Sequence, residues 1–163
     1  MTIQLTPVWR TILRQNFTKI AELGAFLELT DAQLDAVDKA AAFGLNLPRR
    51  LAQKIAKGSL DDPLFLQFVP LKKEKIIDPQ YSADPVQDKT FQLTDKLLQK
   101  YEARALIIAT SACAMHCRFC FRKNFDYQTQ DKTFAEELDH IRSDPSIEEI
   151  ILSGGDPLSL PDE

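Results

Sequence analysis

All three cysteines of this 163-residue chain fall within eight residues: Cys113, Cys117 and Cys120, in the run Ser111-Ala-Cys-Ala-Met-His-Cys-Arg-Phe-Cys-Phe-Arg122. Thiolates are soft, reactive ligands, so three on one short loop point to a metal ion or a cluster. Their number is as informative as their spacing. A closed structural zinc site takes four protein ligands, and a cubane iron–sulfur cluster usually takes four cysteines. Three cysteines leave one iron open to another ligand. Disulfides fit poorly, because the count is odd and nothing marks the chain as secreted. Zinc is the rival, with His116 or His140 as fourth ligand, although His116 directly precedes Cys117 and adjacent residues seldom reach the same ion. A second run, Ser153-Gly-Gly-Asp-Pro-Leu158, has two glycines that let a backbone come close to a ligand.

The elements that must position these residues follow from periodicity. Ala105–Thr110 reads as a buried strand, and the cysteine loop leaves its C-terminal end. Thr133-Phe-Ala-Glu136 is a capping-box pattern that opens a helix running to about Ser143, where Asp144-Pro145 ends it. Glu149–Ser153 reads as a second strand, with Gly154-Gly-Asp-Pro157 after it. Together they predict a parallel βαβ unit with both loops at strand C-termini, where α/β folds place their sites.

The first seventy residues read as helices. Trp9, Ile12, Leu13, Phe17 and Ile20 keep a 3.6-residue rhythm that predicts one helix from Val8 to Leu23, stopped by Gly24. Thr30-Asp-Ala-Gln33 is a capping box, Pro48 opens a third helix with Gly58 after it, and Asp61-Asp-Pro63 begins a further segment. Residues 71–98 read as an extended connector, and its Lys72-Lys-Glu-Lys75 run as a solvated loop. The expected organisation is therefore residues 1–70 helical, 71–98 connecting and 99–163 α/β.

A net charge of −4 and 44% apolar content describe an ordinary globular chain. The mild acidity argues against general nucleic-acid binding. No apolar run is long enough for a membrane span, and the N-terminus lacks the charged and apolar regions of a signal peptide. Thiols kept for a cluster in such a chain imply the cytoplasm.

The C-x3-C-x2-C spacing, with Phe119 just before the last cysteine, resembles the signature of the radical S-adenosylmethionine (SAM) superfamily. That likeness implies a [4Fe-4S] cluster held by Cys113, Cys117 and Cys120. Its fourth iron would bind the amino and carboxylate groups of SAM, which the reduced cluster cleaves to a 5′-deoxyadenosyl radical. Phe119 would lie beside the adenosine. Gly154, Gly155 and Asp156 resemble the Gly-Gly-Glu-type motif that receives the methionine ammonium of SAM. Further stretches resemble the lysine 2,3-aminomutases, and most closely the branch whose β-lysine modifies elongation factor P: Asp61-Asp-Pro-Leu64, Phe68-Val-Pro70, Asp84-Pro85, Lys100 to Leu106, Cys113 to Phe125 and Ser153 to Leu158.

The resemblance implies an α/β fold, with a helical N-terminal region followed by the start of a partial (β/α)6 radical SAM barrel. It also implies a pyridoxal 5′-phosphate (PLP)-dependent shift of the lysine amine from Cα to Cβ. In that likeness Arg122 binds the lysine carboxylate, while Tyr101 and Arg104 match positions near PLP and its phosphate. The expected partners are a small amino-acid substrate and, through the pathway, elongation factor P and its ligase. Asp84-Pro-Val-Gln-Asp88 departs from the family's Asp-Pro-Leu-x-Glu-like pattern, and no Pro-Gly precedes Leu97-Leu98. Glutamate or another amino acid therefore stays open as substrate. The PLP lysine and the acids for the substrate ε-amine are expected beyond Glu163. On that reading the chain is the N-terminal part of a longer enzyme, inactive alone, with an open strand edge that favours self-association.

Overall fold

The computed structural model describes residues 8–125 and 133–160. They divide into a helical unit, which runs to Asp78 and includes Ala114–Lys123, and a sheet unit made from Pro79–Cys113 and the chain from Asn124 onward.

The expected first helix is two helices, α1 (Val8–Leu13) and α2 (Ile20–Phe26). Between them Phe17 forms an antiparallel bridge with Leu47, its N–H donating at 2.8 Å and its carbonyl accepting at 3.0 Å. Burying Phe17 through this long-range pairing outweighs the modest helix propensity of the intervening residues. Gly24 does not stop α2 but lies buried inside it. A Cβ there would come within 2.7 Å of a Leu34 methyl, so the glycine permits close packing against α3 (Asp31–Ala36). Helix α2 ends instead with Glu28 in the left-handed region (φ 58°).

The capping box at Thr30 is present, Gln33 N donating to the Thr30 hydroxyl and the Gln33 side chain returning to Thr30 N. Pro48 precedes α4 (Arg49–Ala52). Asp62 caps α5 (Pro63–Phe68), accepting from Leu64 N at 2.9 Å and Phe65 N at 3.2 Å. These short helices owe their stability to packing. Leu23, Leu27, Val37, Leu47, Phe65, Phe68 and Val69 are almost wholly inaccessible, and each large side chain so buried contributes about 1.5–3 kcal/mol.

The sheet unit holds three strands in the order β1 (Leu97–Tyr101), β2 (Arg104–Thr110) and β3 (Glu149–Gly154). The parallel β2–β3 pair is as the sequence predicts, with α6 (Ala135–Ser143) in the crossover. Strand β1 is an antiparallel partner that the apolar pattern did not flag. It joins β2 through a tight turn in which Ala103 takes φ 59°. Phe134, Ile141 and Ile147 pack over Leu97, Ala105 and Ile107.

The capping box expected at Thr133 does not form. Phe134 is the N-cap residue of α6 and makes no side-chain cap bond. The helix is tied down instead by buried Glu137, whose carboxylate accepts from Thr94 Oγ1 at 2.6 Å, and by buried Lys96, which donates to the Thr133 carbonyl. Among the described residues β3 is a sheet edge, with Leu152 63% exposed. No described helix is long and apolar enough to cross a membrane.

Candidate metal centre

In the sheet unit, the Gly-Gly turn leaving β3 docks on the chain leaving β2. Gly155 N donates to Thr110 O at 2.6 Å and Asp156 N to Ala112 O at 2.7 Å. Both glycines are sterically required. Gly154 takes φ 115°, and a Cβ on it would lie 2.3 Å from Thr110 O. A Cβ on Gly155 would lie 1.9 Å from Ala112 O. The structure therefore brings Gly154, Gly155 and Asp156 beside the two residues that lead into Cys113. The Asp156 carboxylate accepts from Leu158 N at 3.1 Å and caps the short 3₁₀ turn Pro157–Ser159.

The rest of the cysteine loop belongs to the helical unit, which cradles it residue by residue. Asn16 Nδ2 donates to Ala114 O and to Asn46 Oδ1, each at 2.8 Å. His116 N donates to Asn46 O at 2.9 Å, and Arg118 N to Gln67 O at 2.8 Å. Met115 and Cys117 rest against the helical core. A tight turn follows, in which Cys120 N donates to Cys117 O at 3.1 Å and Lys123 N to Cys120 O at 3.1 Å. The turn leaves Phe119 75% exposed.

Arg118 is the chief fastener. Nη1 donates to Phe43 O at 2.7 Å, while Nε and Nη2 donate to the two oxygens of Glu74 at 3.0 and 2.7 Å. Lys123 Nζ reaches the same carboxylate at 2.5 Å. Burial pushes the Glu74 carboxyl up, but the hydrogen bonds from Arg118 and Lys123 outweigh it and hold the group down at about 2. The run Lys72–Lys75 is thus more than a solvated loop. Glu74 clamps the cysteine loop, and Lys75 pairs with the shielded Asp38 at 2.9 Å. Arg122 lies over the Phe43 ring, 5.2 Å from its centroid, and its Nε donates to Cys120 Sγ at 3.2 Å.

None of the three cysteines is in a disulfide, and all are partly buried. Among the described residues no three His, Cys, Asp or Glu side chains are gathered tightly enough to hold a metal ion. The donor set still fits an iron–sulfur cluster in kind and number, because it offers three thiols on one loop, two of them on a single hydrogen-bonded turn.

His116, the alternative fourth ligand for zinc, is fixed through the Nδ1 side of its ring, the kind of bond that leaves Nε2 as the ligating nitrogen. Its ring stacks on Phe43 at 4.5 Å, and Nδ1 donates to Gly44 O at 3.0 Å. Burial pushes its pKa below the usual histidine value, the Gly44 bond opposing and the nearby arginines adding to the effect. The stacking and the Gly44 bond tie the loop to Phe43 and Gly44. His140 lies on α6.

Within the sheet unit, Tyr101 and Arg104 stand away from the strand ends where the Gly-Gly turn docks. They face each other across the β1–β2 turn, at the opposite end of β2 from Thr110, about 20 Å away along the strand. Both are exposed, and Arg104 Nε is paired with Glu149. What sequence reasoning missed is the cradle itself: Asn16, Phe43, Asn46, Gln67 and Glu74. The one local signal was the charged run around Glu74.

A family profile described as a 4Fe-4S single cluster domain matches residues 103–162. The chain is 35% identical to the L-lysine 2,3-aminomutase of Haemophilus influenzae, over 94% of its own length and 47% of that protein. It is 33% identical to the enzyme of that name from Escherichia coli, over 94% of this chain and 46% of that one. The L-lysine 2,3-aminomutase of Clostridium subterminale is 28% identical over 95% of this chain and 38% of its own length. The chain thus spans about half the length of the first two of these relatives.

Proposed function

We propose that this chain, which belongs to the lysine 2,3-aminomutase family, provides the cluster- and SAM-binding part of an enzyme that isomerises L-lysine to (R)-β-lysine, in the service of elongation factor P modification. The observation that carries this reading is the meeting of two loops at the strand ends. The Gly-Gly turn after β3 seats on the backbone that runs into the three-cysteine loop. It does so on a chain whose relatives bear that enzyme name.

On this reading Cys113, Cys117 and Cys120 hold a [4Fe-4S] cluster with one iron left for SAM. When bound, the cluster, SAM and PLP would supply the radical chemistry that no side chain can. The chain's own residues bind and orient. Phe119 presents an exposed ring face to the adenosine. Gly154 and Gly155 let backbone carbonyls approach the SAM ammonium, and Asp156, fixed by its bond to Leu158 N, adds a carboxylate.

Arg122 offers a guanidinium fork to the amino-acid carboxylate, exchanging its bond to Cys120 for that contact. Tyr101 and Arg104 take no part in this proposal: they lie at the far end of β2 from Thr110, where Arg104 pairs with Glu149, and α/β folds build their sites at the strand C-termini. In the cell the enzyme works in the cytoplasm.

Anaerobic reconstitution followed by metal and sulfide analysis tests the reading. It predicts about four iron and four sulfide per chain. Stoichiometric zinc without sulfide would contradict it. Turnover by the complete protein, with lysine and glutamate compared side by side, tests the substrate.

A further inference from the structure

We infer that Glu74 is a positioning residue for the cluster loop, holding the Cys117–Cys120 turn in the conformation that receives iron. The inference rests on the reading of Cys113, Cys117 and Cys120 as cluster ligands, but it is carried by a separate set of contacts. One carboxylate gathers four hydrogen bonds: Leu71 N at 3.1 Å, Arg118 Nε at 3.0 Å, Arg118 Nη2 at 2.7 Å and Lys123 Nζ at 2.5 Å.

The first bond anchors the carboxylate to its own short helix, Lys72–Lys75. The other three fall on residues that bracket Phe119–Arg122. Arg118 directly follows one cysteine, and Lys123 stands three residues after the next. Arg118 and Lys123 are therefore held to one point, and the turn between them has its span fixed. Arg118 is also tied to Phe43 O and, through its backbone, to Gln67 O. The bidentate arginine–carboxylate geometry restricts orientation as well as distance. The Arg118 side chain is only 9% exposed, and Glu74 and Lys123 are about one-quarter exposed, so water screens the three-way pair weakly.

The perturbation is made at residue 74, which lies outside the cysteine motif. Glu74→Ala removes the carboxylate. Glu74→Gln keeps the shape and an acceptor for Leu71 N but loses the charge, and it carries the test if the alanine variant does not fold. Glu74→Asp is the conservative control. Two readouts are made on the complete protein. The first is amide hydrogen exchange across Arg118–Lys123 before any iron is added. The second is the rate at which a chelator strips the reconstituted cluster, with the electron paramagnetic resonance (EPR) spectrum of the reduced protein.

We expect exchange in that segment about tenfold faster in Glu74→Ala. Cluster loss should be faster by a similar factor and the EPR signal broadened, with Glu74→Gln intermediate and Glu74→Asp close to wild type. Exchange and cluster retention unchanged in both Glu74→Ala and Glu74→Gln would overturn the inference. If wild-type protein takes up no iron–sulfur cluster, the ligand assignment fails, and with it the inference that the clamp serves iron. The exchange data would still report whether Glu74 orders the loop.

Discussion

Replacing Gly155 by alanine probes the junction on which the site depends. The added Cβ would lie 1.9 Å from Ala112 O and 2.6 Å from Ala112 C, both backbone atoms that cannot swing aside. Gly155 is not in the positive-φ region, so the effect is steric and not conformational. Restoring ordinary contact requires the two strand-exit loops to part by about 1.5 Å. The bonds Gly155 N–Thr110 O (2.6 Å) and Asp156 N–Ala112 O (2.7 Å) do not survive that separation. Two backbone bonds at about 0.5–1.5 kcal/mol each, with about 1–3 kcal/mol for overpacking, give about 2–6 kcal/mol. For a chain of this size that is a fall in Tm of about 4–24 °C. Thermal unfolding followed by circular dichroism measures it. Gly44→Ala is the control, because a Cβ there meets nothing within 4 Å. A Gly155→Ala variant that melts within about 2 °C of the Gly44→Ala variant would refute the argument that the turn is docked on Ala112.

Three further outcomes are expected. Cys117→Ala should abolish cluster assembly, measured as iron and sulfide per chain; full iron content would remove Cys117 from the ligand set. Arg122→Ala should keep the iron stoichiometry and weaken amino-acid binding by the complete protein, measured calorimetrically; loss of iron would instead make the 3.2 Å bond to Cys120 its main contribution. The third concerns pH. The Glu74 carboxyl is lowered from its ordinary value of 4.5 to about 2, so its contribution to stability is complete above about pH 4.5 and disappears as pH falls toward 2. Denaturant midpoints of wild type and Glu74→Gln should therefore differ at pH 7 and converge in acid; a gap that stays constant with pH would show that the carboxylate charge is not what matters.

Much of the chemistry was legible because it is local. Cysteine is scarce in this chain, so the clustering of Cys113, Cys117 and Cys120 stood out. The strand Ala105–Thr110, the parallel partner that follows it and the capping box at Thr30 each follow from a pattern within a dozen residues. What stayed hidden is long-range. Asn16 reaches Ala114 across 98 positions, His116 meets Gly44 across 72, and Arg118 meets Glu74 across 44. Composition cannot show such pairs. The same reason explains Gly24, which reads as a helix stop until Leu34 is seen lying against it. It also explains Phe17, whose bridge to Leu47 divides a helix that periodicity had drawn as one. Strand β1 escaped because Leu97–Tyr101 lacks the alternation that marks a half-buried strand, and its pairing is irregular. The helical region then gains a purpose that its sequence did not suggest. It carries the frame on which two of the three cysteines are mounted.

The central claim is that the three-cysteine loop leaves one iron without a protein ligand, for SAM to occupy. EPR of the anaerobically reconstituted and reduced protein, recorded before and after SAM is added, addresses it directly. The account predicts a [4Fe-4S] signal whose g-values move on addition of SAM. A signal that SAM leaves unchanged, or no iron–sulfur signal at all, would contradict it.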